Sequence, residues 1–140
     1  MVEKLKLEQL GRVDVETFKS LEKIPTIIVL DNIRSMYNVG AIFRTADAFL
    51  IEKIILCGIT PQPPHREIHK AALGATESVE WQYQASTKEA ISELKKAGYR
   101  IFGIEQTTSS QLITEFEIDT NEKYTLILGN EVEGISDEIL

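Results

Sequence analysis

The sequence predicts an α/β protein with a mostly parallel sheet flanked by helices. Three observations predict it. Five short apolar runs, Thr26–Leu30, Lys53–Cys57, Val79–Tyr83, Arg100–Ile104 and Tyr124–Leu128, are separated by stretches with helical spacing. Several runs (IIVL, IILC, LILG) are continuously apolar rather than alternating, as strands are when both faces are covered. Strand and helix patterns take turns along the chain, which is the order of βαβ units. In such sheets ligands sit at the carboxyl ends of the strands, so the strand-to-helix loops are the places to search for chemistry.

The first 24 residues stand apart. Asp14 is placed to cap a short amphipathic helix carrying Val15, Phe18 and Leu21, an N-terminal helical extension expected to pack on the core or on a partner subunit. Pro25 opens the first strand of a second unit, residues 25–140. Val39, Ile42, Phe43, Ala46 and Phe49 form the apolar stripe of a helix. A shorter helix is expected over Glu67–Leu73. Ser86 and Glu89 make a capping box ahead of Ala90, Ile91, Leu94 and Ala97, and Gly98 stops that helix. A last helix is expected to open at Ser136, with Asp137 and Glu138 in its first turn. Five residues are too few for a helix, so the sequence is expected to continue past Leu140.

With 140 residues, 43% hydrophobic and 26% charged, the chain has the balance of one globular domain rather than of a disordered segment. The longest apolar runs, Ile27–Leu30 and Ile54–Cys57, fall far short of the roughly 20 residues a membrane span needs. The N-terminus (MVEKLKLEQL) lacks the apolar block of a secretory signal. Cys57 is the single cysteine, which excludes an internal disulfide and reads as a small buried hydrophobe. A cytoplasmic location is the expectation. The net charge of −7 argues globally against a nucleic-acid partner, but its distribution changes the argument. Residues 105–140 carry nine acids and one base, Lys123, whereas residues 1–104 carry 13 acids and 14 bases. A local basic face on the larger part is therefore allowed.

Two strand-to-helix loops hold the candidate chemistry. In LDNIRSMYNVGAIFRTADAF (30–49), Asp31, Asn32, Asn38 and Gly40 read as turn formers, and Gly40 permits close backbone approach. Arg44, four residues further on, could clamp a phosphate with its two-pronged guanidinium. An ordinary loop and helix with one surface Arg would give the same string. In LILGNEVEGIS (126–136), Gly129 and Gly134 allow tight turns whose backbone N–H groups could hold a polar ligand, and Glu131 could pair with a cation or with hydroxyls. An ordinary glycine-containing loop is the plain alternative. GNEVEGIS has P-loop glycine spacing, but Ile135 stands where the phosphate-binding Lys belongs, and GYRIFGIE fails in the same way. No G-x-G-x-x-G dinucleotide fingerprint occurs.

A third loop, GITPQPPHREIHKAALGATESVEW (58–81), is stiffened by Pro61, Pro63 and Pro64. His65 and His69 are four apart, but in the order H-x-E-x-H and without an evident third ligand, so no metal is expected. Arg66 and Lys70 make it a candidate substrate-facing loop, with a solvated helix start as the alternative.

Together, NVGAIFRTADAF (38–49), ALGATES (72–78) and LGNEVEGIS (128–136) resemble, in order and at suitable strand ends, the SpoU/TrmH family of ribose 2′-O-methyltransferases in the SPOUT superfamily. The resemblance covers about residues 25–140. It implies an α/β fold whose C-terminal part forms a deep trefoil knot around S-adenosylmethionine, which chain physics alone would not suggest. The family's first motif maps onto Asn38, Gly40 and Arg44, and its second onto Gly129, Glu131 and Gly134. A third motif, with a Ser and an Asn in the helix that closes the knot, is expected beyond Leu140, so knot closure is expected to be missing from this stretch of chain. The extra N-terminal RNA-binding domain of some members is not expected within these residues.

The implied reaction is methyl transfer from S-adenosylmethionine to a ribose 2′-hydroxyl of tRNA or rRNA. Arg44 would be catalytic, binding the adjacent phosphate and easing ionisation of the hydroxyl, with Asn38 and Glu131 orienting it. The cofactor is expected against Glu105, Gln106 and Thr107 and against Leu128, Gly129, Asn130 and Gly134. RNA contacts are expected at Arg34, Arg66 and Lys70, with Lys4, Lys6 and Arg12 as further basic candidates. A homodimer is implied, with Arg from one subunit facing the cofactor of the other. Two other classes stay open: a non-catalytic RNA-binding relative of the same fold, separable by its failure to bind S-adenosylmethionine, and a small-molecule-binding α/β domain, separable by the absence of salt-dependent tRNA binding.

Overall fold

A computed structural model describes all 140 residues. Five strands, β1 (Ile24–Asp31), β2 (Ile51–Cys57), β3 (Trp81–Gln84), β4 (Tyr99–Ile104) and β5 (Lys123–Gly129), form one sheet in the order β3-β2-β1-β5-β4. Every pairing is parallel. The five expected strands are thus all present, with no boundary moved by more than two residues.

Both faces of β1 are buried, which explains its unbroken apolar run. Ile28 and Leu30 point into one core with Ile54 and Leu56 of β2 and with α2 (Met36–Ala48), α3 (Arg66–Ala72) and α4 (Ala75–Ser78). Ile27 and Val29 point into a second core with Ile55, Cys57 and α5 (Thr87–Lys96). The expected stripe of α2 is confirmed at Val39, Phe43 and Ala46, all buried, whereas Phe49 lies just past the helix and is exposed. Gly40 and Asn38 are not in a turn: both lie inside α2, whose N-cap is Ser35. The close approach at Gly40 is real, however, since a Cβ there would sit 2.4 Å from the carbonyl oxygen of Ile68 in α3.

Other expectations hold in detail. Asp14 caps α1 (Val15–Ser20) by accepting from the Thr17 N–H, and Phe18 packs into the α2 core. Ser86 caps α5 by accepting from the Glu89 N–H, and Gly98 beyond it has φ +87°. Cys57 is fully buried, and burial pushes its thiol up to about 11. Two features differ. The 66–78 segment makes two short helices, broken where Leu73 and Gly74 adopt left-handed conformations. The expected helix at Ser136 is a single turn, closed by the Ile139 N–H on the Ser136 carbonyl at 2.8 Å.

The α2 side of the sheet is unevenly covered. Over β5 and β4 no α-helix lies above Tyr124, Leu126 and Phe102. The 105–122 segment crosses there instead, packing Phe116 on Phe102 with ring centroids 4.6 Å apart. Beneath it is an apolar cavity of about 520 Å³. Leu112, Ile113 and Ile118 of the segment remain exposed.

Candidate functional site

The strand order reverses direction between β1 and β5: β2 and β3 continue to one side of β1, while β5 and β4 lie on the other. The crevice outside the carboxyl ends of strands at such a point is where open α/β sheets bind ligands. Both candidate segments, the 32–35 loop with the start of α2 after β1 and 130–136 after β5, emerge there.

The loop after β5 is a tight return. Asn130 and Gly134 form a two-way backbone bridge, each N–H donating to the other's carbonyl at 2.9 Å. The Asn130 side-chain oxygen accepts from the N–H groups of Val132 and Glu133, and its amide donates to the Asn32 carbonyl at 2.8 Å. Gly134 has φ +73°, and a Cβ at Gly129 would strike the backbone of Ile135 at 2.2 Å. Only glycine fits the turn at both positions.

Glu131 ties this return to the other loop. Its carboxylate accepts from the backbone N–H of Arg34 (2.9 Å), the N–H of Ser35 (3.0 Å) and the side-chain amide of Asn38 (3.0 Å). Partial burial raises its pKa, but the hydrogen bonds from Arg34, Ser35, its own N–H and Asn38 outweigh that and hold the carboxyl at about 2. Glu105, at the end of β4, accepts from the N–H groups of Ile135 and Gln106 at 2.9 Å, and these bonds hold its carboxyl below the usual range.

A cavity of about 470 Å³ opens against these elements. Its lining includes Glu105, Gln106, Thr107, Gly129, Asn130 and Gly134, so six of the seven residues expected at a cofactor site share one wall. Leu128 does not: it points one residue earlier onto the α2 core, because successive strand residues face opposite sides. The space falls within the range of small-ligand pockets. Gly129 and Gly134 are packed too closely against Ile135 and Glu105 to carry a side chain, so the return lies flat against the end of β4 and its backbone forms part of the cavity wall.

Asn38 and Glu131 are brought together, but Arg44 joins neither. Its side chain is exposed and makes no hydrogen bond or ion pair within the chain. The expected orientation of Arg44 by Asn38 and Glu131 is therefore not present here. Six helical residues separate Asn38 from Arg44, a rotation of about 240° and a rise of about 9 Å, so the two occupy different faces of α2. Arg66 and Lys70 lie on α3, exposed, with Lys70 paired to Glu67 at 3.1 Å, and Arg34 is exposed beside Glu131. His65 Nδ1 accepts from the Glu67 N–H, while His69 Nδ1 lies 3.4 Å from the Thr76 hydroxyl, so the two histidines have separate roles. The sequence reading missed Asp31 as a buried anchor, treating it as a turn former. Asp31 is 1% exposed, and its partners Thr87 and Ser136 are too distant in sequence for a local pattern to reveal.

The sequence model of the SpoU rRNA methylase family matches residues 25–140, and the chain belongs to that family. It is 31% identical to an uncharacterised tRNA/rRNA methyltransferase of Synechocystis, over 87% of this chain and 31% of that protein. It is 27% identical to the 23S rRNA (guanosine-2′-O-)-methyltransferase RlmB of Neisseria meningitidis, over 86% of this chain and 47% of the relative. Among solved structures, an S-adenosylmethionine-bound rRNA methyltransferase from Sinorhizobium meliloti superposes with a TM-score of 0.75 at 27% identity, covering 87% of this chain and 46% of the other. The TrmH/SpoU tRNA-modifying enzyme of A. aeolicus shares the fold, with a TM-score of 0.75 at 22% identity over 89% of this chain and 62% of the other. The chain spans less than half the length of the curated relatives it matches.

Proposed function

We propose that the protein transfers a methyl group from S-adenosylmethionine to a ribose 2′-hydroxyl of tRNA or rRNA. The observation that carries this reading is the meeting of two loops at the topological switch point, where the Glu131 carboxylate is fastened to Arg34, Ser35 and Asn38 beside a polar cavity. The relatives named for 2′-O-methylation and the relative bound to S-adenosylmethionine support it.

S-adenosylmethionine, when bound, supplies a methyl carbon made electrophilic by its sulfonium. The backbone of the 129–134 return and the Glu105–Thr107 segment would hold it. The ribose hydroxyl is a weak acid and hence a poor nucleophile, so the site must stabilise charge developing on its oxygen and align it with the methyl. The Arg44 guanidinium would grip the neighbouring phosphate, and its charge would favour the ionised hydroxyl. Asn38 and Glu131 would fix the loop beside it rather than touch Arg44. Arg34, Arg66 and Lys70 would contact the RNA backbone.

The freedom of Arg44 within its own chain supports a homodimer in which it serves the cavity of the partner. Light scattering on the full-length protein should give twice the chain mass. No helix is long and apolar enough to cross a membrane.

The test is methyl transfer from labelled S-adenosylmethionine into bulk tRNA and rRNA by the full-length protein. Arg44→Ala should lower turnover by about 100-fold or more, as loss of a charge-stabilising group does. Arg44→Lys should restore little of it, because a point charge does not reproduce a two-pronged phosphate grip. Near-normal turnover with Lys would refute that grip.

A further inference from the structure

The loop that walls the polar cavity is held at its far end by a carboxylate that the proposed chemistry does not use. Asp31 ends β1 and is almost fully buried. One oxygen accepts from the Ser136 N–H at 2.9 Å and from the Ser136 hydroxyl at 2.8 Å. The other accepts from the Thr87 hydroxyl at 2.6 Å, in the first turn of α5, and from the Asn32 amide at 3.3 Å. No Lys, Arg or His pairs with it, since the ion pairs of the chain are Lys53–Glu80 and Lys70–Glu67. A buried carboxylate without a counter-cation is costly, so an apolar residue would serve better if Asp31 only filled space. What the charge provides is short, strong bonds from donors 56 and 105 residues away, beside the partly positive N-terminal end of α5.

Asp31 does not line the cavity; the loop that it holds does. The return is fastened near its start by Asn130 on the Asn32 carbonyl, and at its end by Ser136 on Asp31. Between these, Glu131 is bound to Arg34, Ser35 and Asn38, Gly134 is bridged to Asn130, and the Ile135 N–H reaches Glu105. Ser136 ties the C-terminal end of the return to β1, so its release would let the Gly134–Ser136 side of the cavity wall drift from the end of β1. We propose that Asp31 is a positioning residue for the methyl-donor cavity: by clamping Ser136 it sets the place of the 129–136 return relative to β1. This rests on reading the cavity as the S-adenosylmethionine site.

In the full-length protein, Asp31→Asn keeps the size and one acceptor but turns an amide N–H₂ toward the same donors. Its Kd for S-adenosylmethionine, measured by calorimetry, should rise about 10-fold or more, as expected for a lost charge-assisted hydrogen bond. The amides of Gly134–Ser136 should exchange hydrogen about 10-fold faster. Ser136→Ala keeps the backbone bond and loses only the hydroxyl, so its changes should be smaller in both readouts. Combined with Asp31→Asn it should add little, because both variants cut one contact. Ile68→Val trims the core between α3 and the opposite face of the sheet and should lower thermal stability while leaving donor Kd and loop exchange unchanged.

Wild-type values of both readouts in a folded Asp31→Asn protein would overturn the proposal. So would equal changes in Ile68→Val, which would mean general loosening. Should Asp31→Asn not fold, Ser136→Ala decides by the same two readouts. A wild-type protein that binds no S-adenosylmethionine refutes the reading of the cavity, and the loop exchange rates then decide the clamp by themselves.

Discussion

The two halves of the sheet carry similar apolar strands but are finished differently. Over β1 and β2 the apolar side chains meet α2 and α3, and Phe43 at their centre is wholly buried, edge-on to Trp81 at 6.4 Å. Over β5 and β4 the same face meets only the 105–122 segment, which leaves a cavity and exposes Leu112, Ile113 and Ile118. The difference teaches that a strand's sequence fixes its apolar character, while the segment that follows it decides whether that character becomes a rigid core. The candidate site lies where the two halves meet: α2 and the end of β1 belong to the rigid half, and Glu105 to the open one.

The comparison breaks most sharply at its two extremes. Phe43→Ala should cost about 3–5 kcal/mol of stability, whereas Leu112→Ala should stay within about 0.5 kcal/mol. Urea unfolding of both variants checks this, and similar losses would erase the distinction between the halves. A smaller effect is expected from Gly40→Ala. The new methyl would press on the backbone of α3, a cost of about 1–3 kcal/mol or more that exceeds the roughly 1 kcal/mol gained in helix propensity. A net loss near 1–2 kcal/mol is expected, and a gain would show that the two helices separate freely.

The smallest effect concerns the seam between the halves. Glu131 has a carboxyl lowered from 4.5 to about 2, so its bonds stabilise the folded state above the unfolded value and are lost as pH falls from about 4.5 toward 2. Proton titration of its carboxyl by NMR should give a midpoint near 2, moving upward in Asn38→Ala. A midpoint near 4.5 in the wild type would mean that the two loops are not fastened in solution.

Much of this architecture was legible because it rests on local patterns. The runs IIVL, IILC and LILG announce strands buried on both faces, and Asp14 and Ser86 announce helix starts, since a cap needs only its own first turn. The wall of the polar cavity was legible through the resemblance, which placed Glu105, Gln106 and Thr107 beside Gly129, Asn130 and Gly134. What stayed hidden depends on long-range partners. Asp31 looks like a turn residue until Ser136 arrives 105 positions later. Gly40 looks like a turn until α3 packs against it. Glu131 reads as a partner for a cation or for hydroxyls, yet its donors are the Asn38 amide and the backbone N–H groups of Arg34 and Ser35, and no side-chain motif encodes the latter two. The separation of Arg44 from Asn38 follows from helical geometry once both are known to lie in α2.

The central claim is that the protein methylates ribose rather than a base. The most direct measurement is mass-spectrometric location of the methyl that the full-length protein adds to RNA from S-adenosylmethionine. The account predicts a 2′-O-methyl nucleoside whose 3′ phosphodiester bond resists alkali, formed by the wild type and lost in Arg44→Ala. A methyl on a nucleobase, or transfer that survives Arg44→Ala intact, would contradict it.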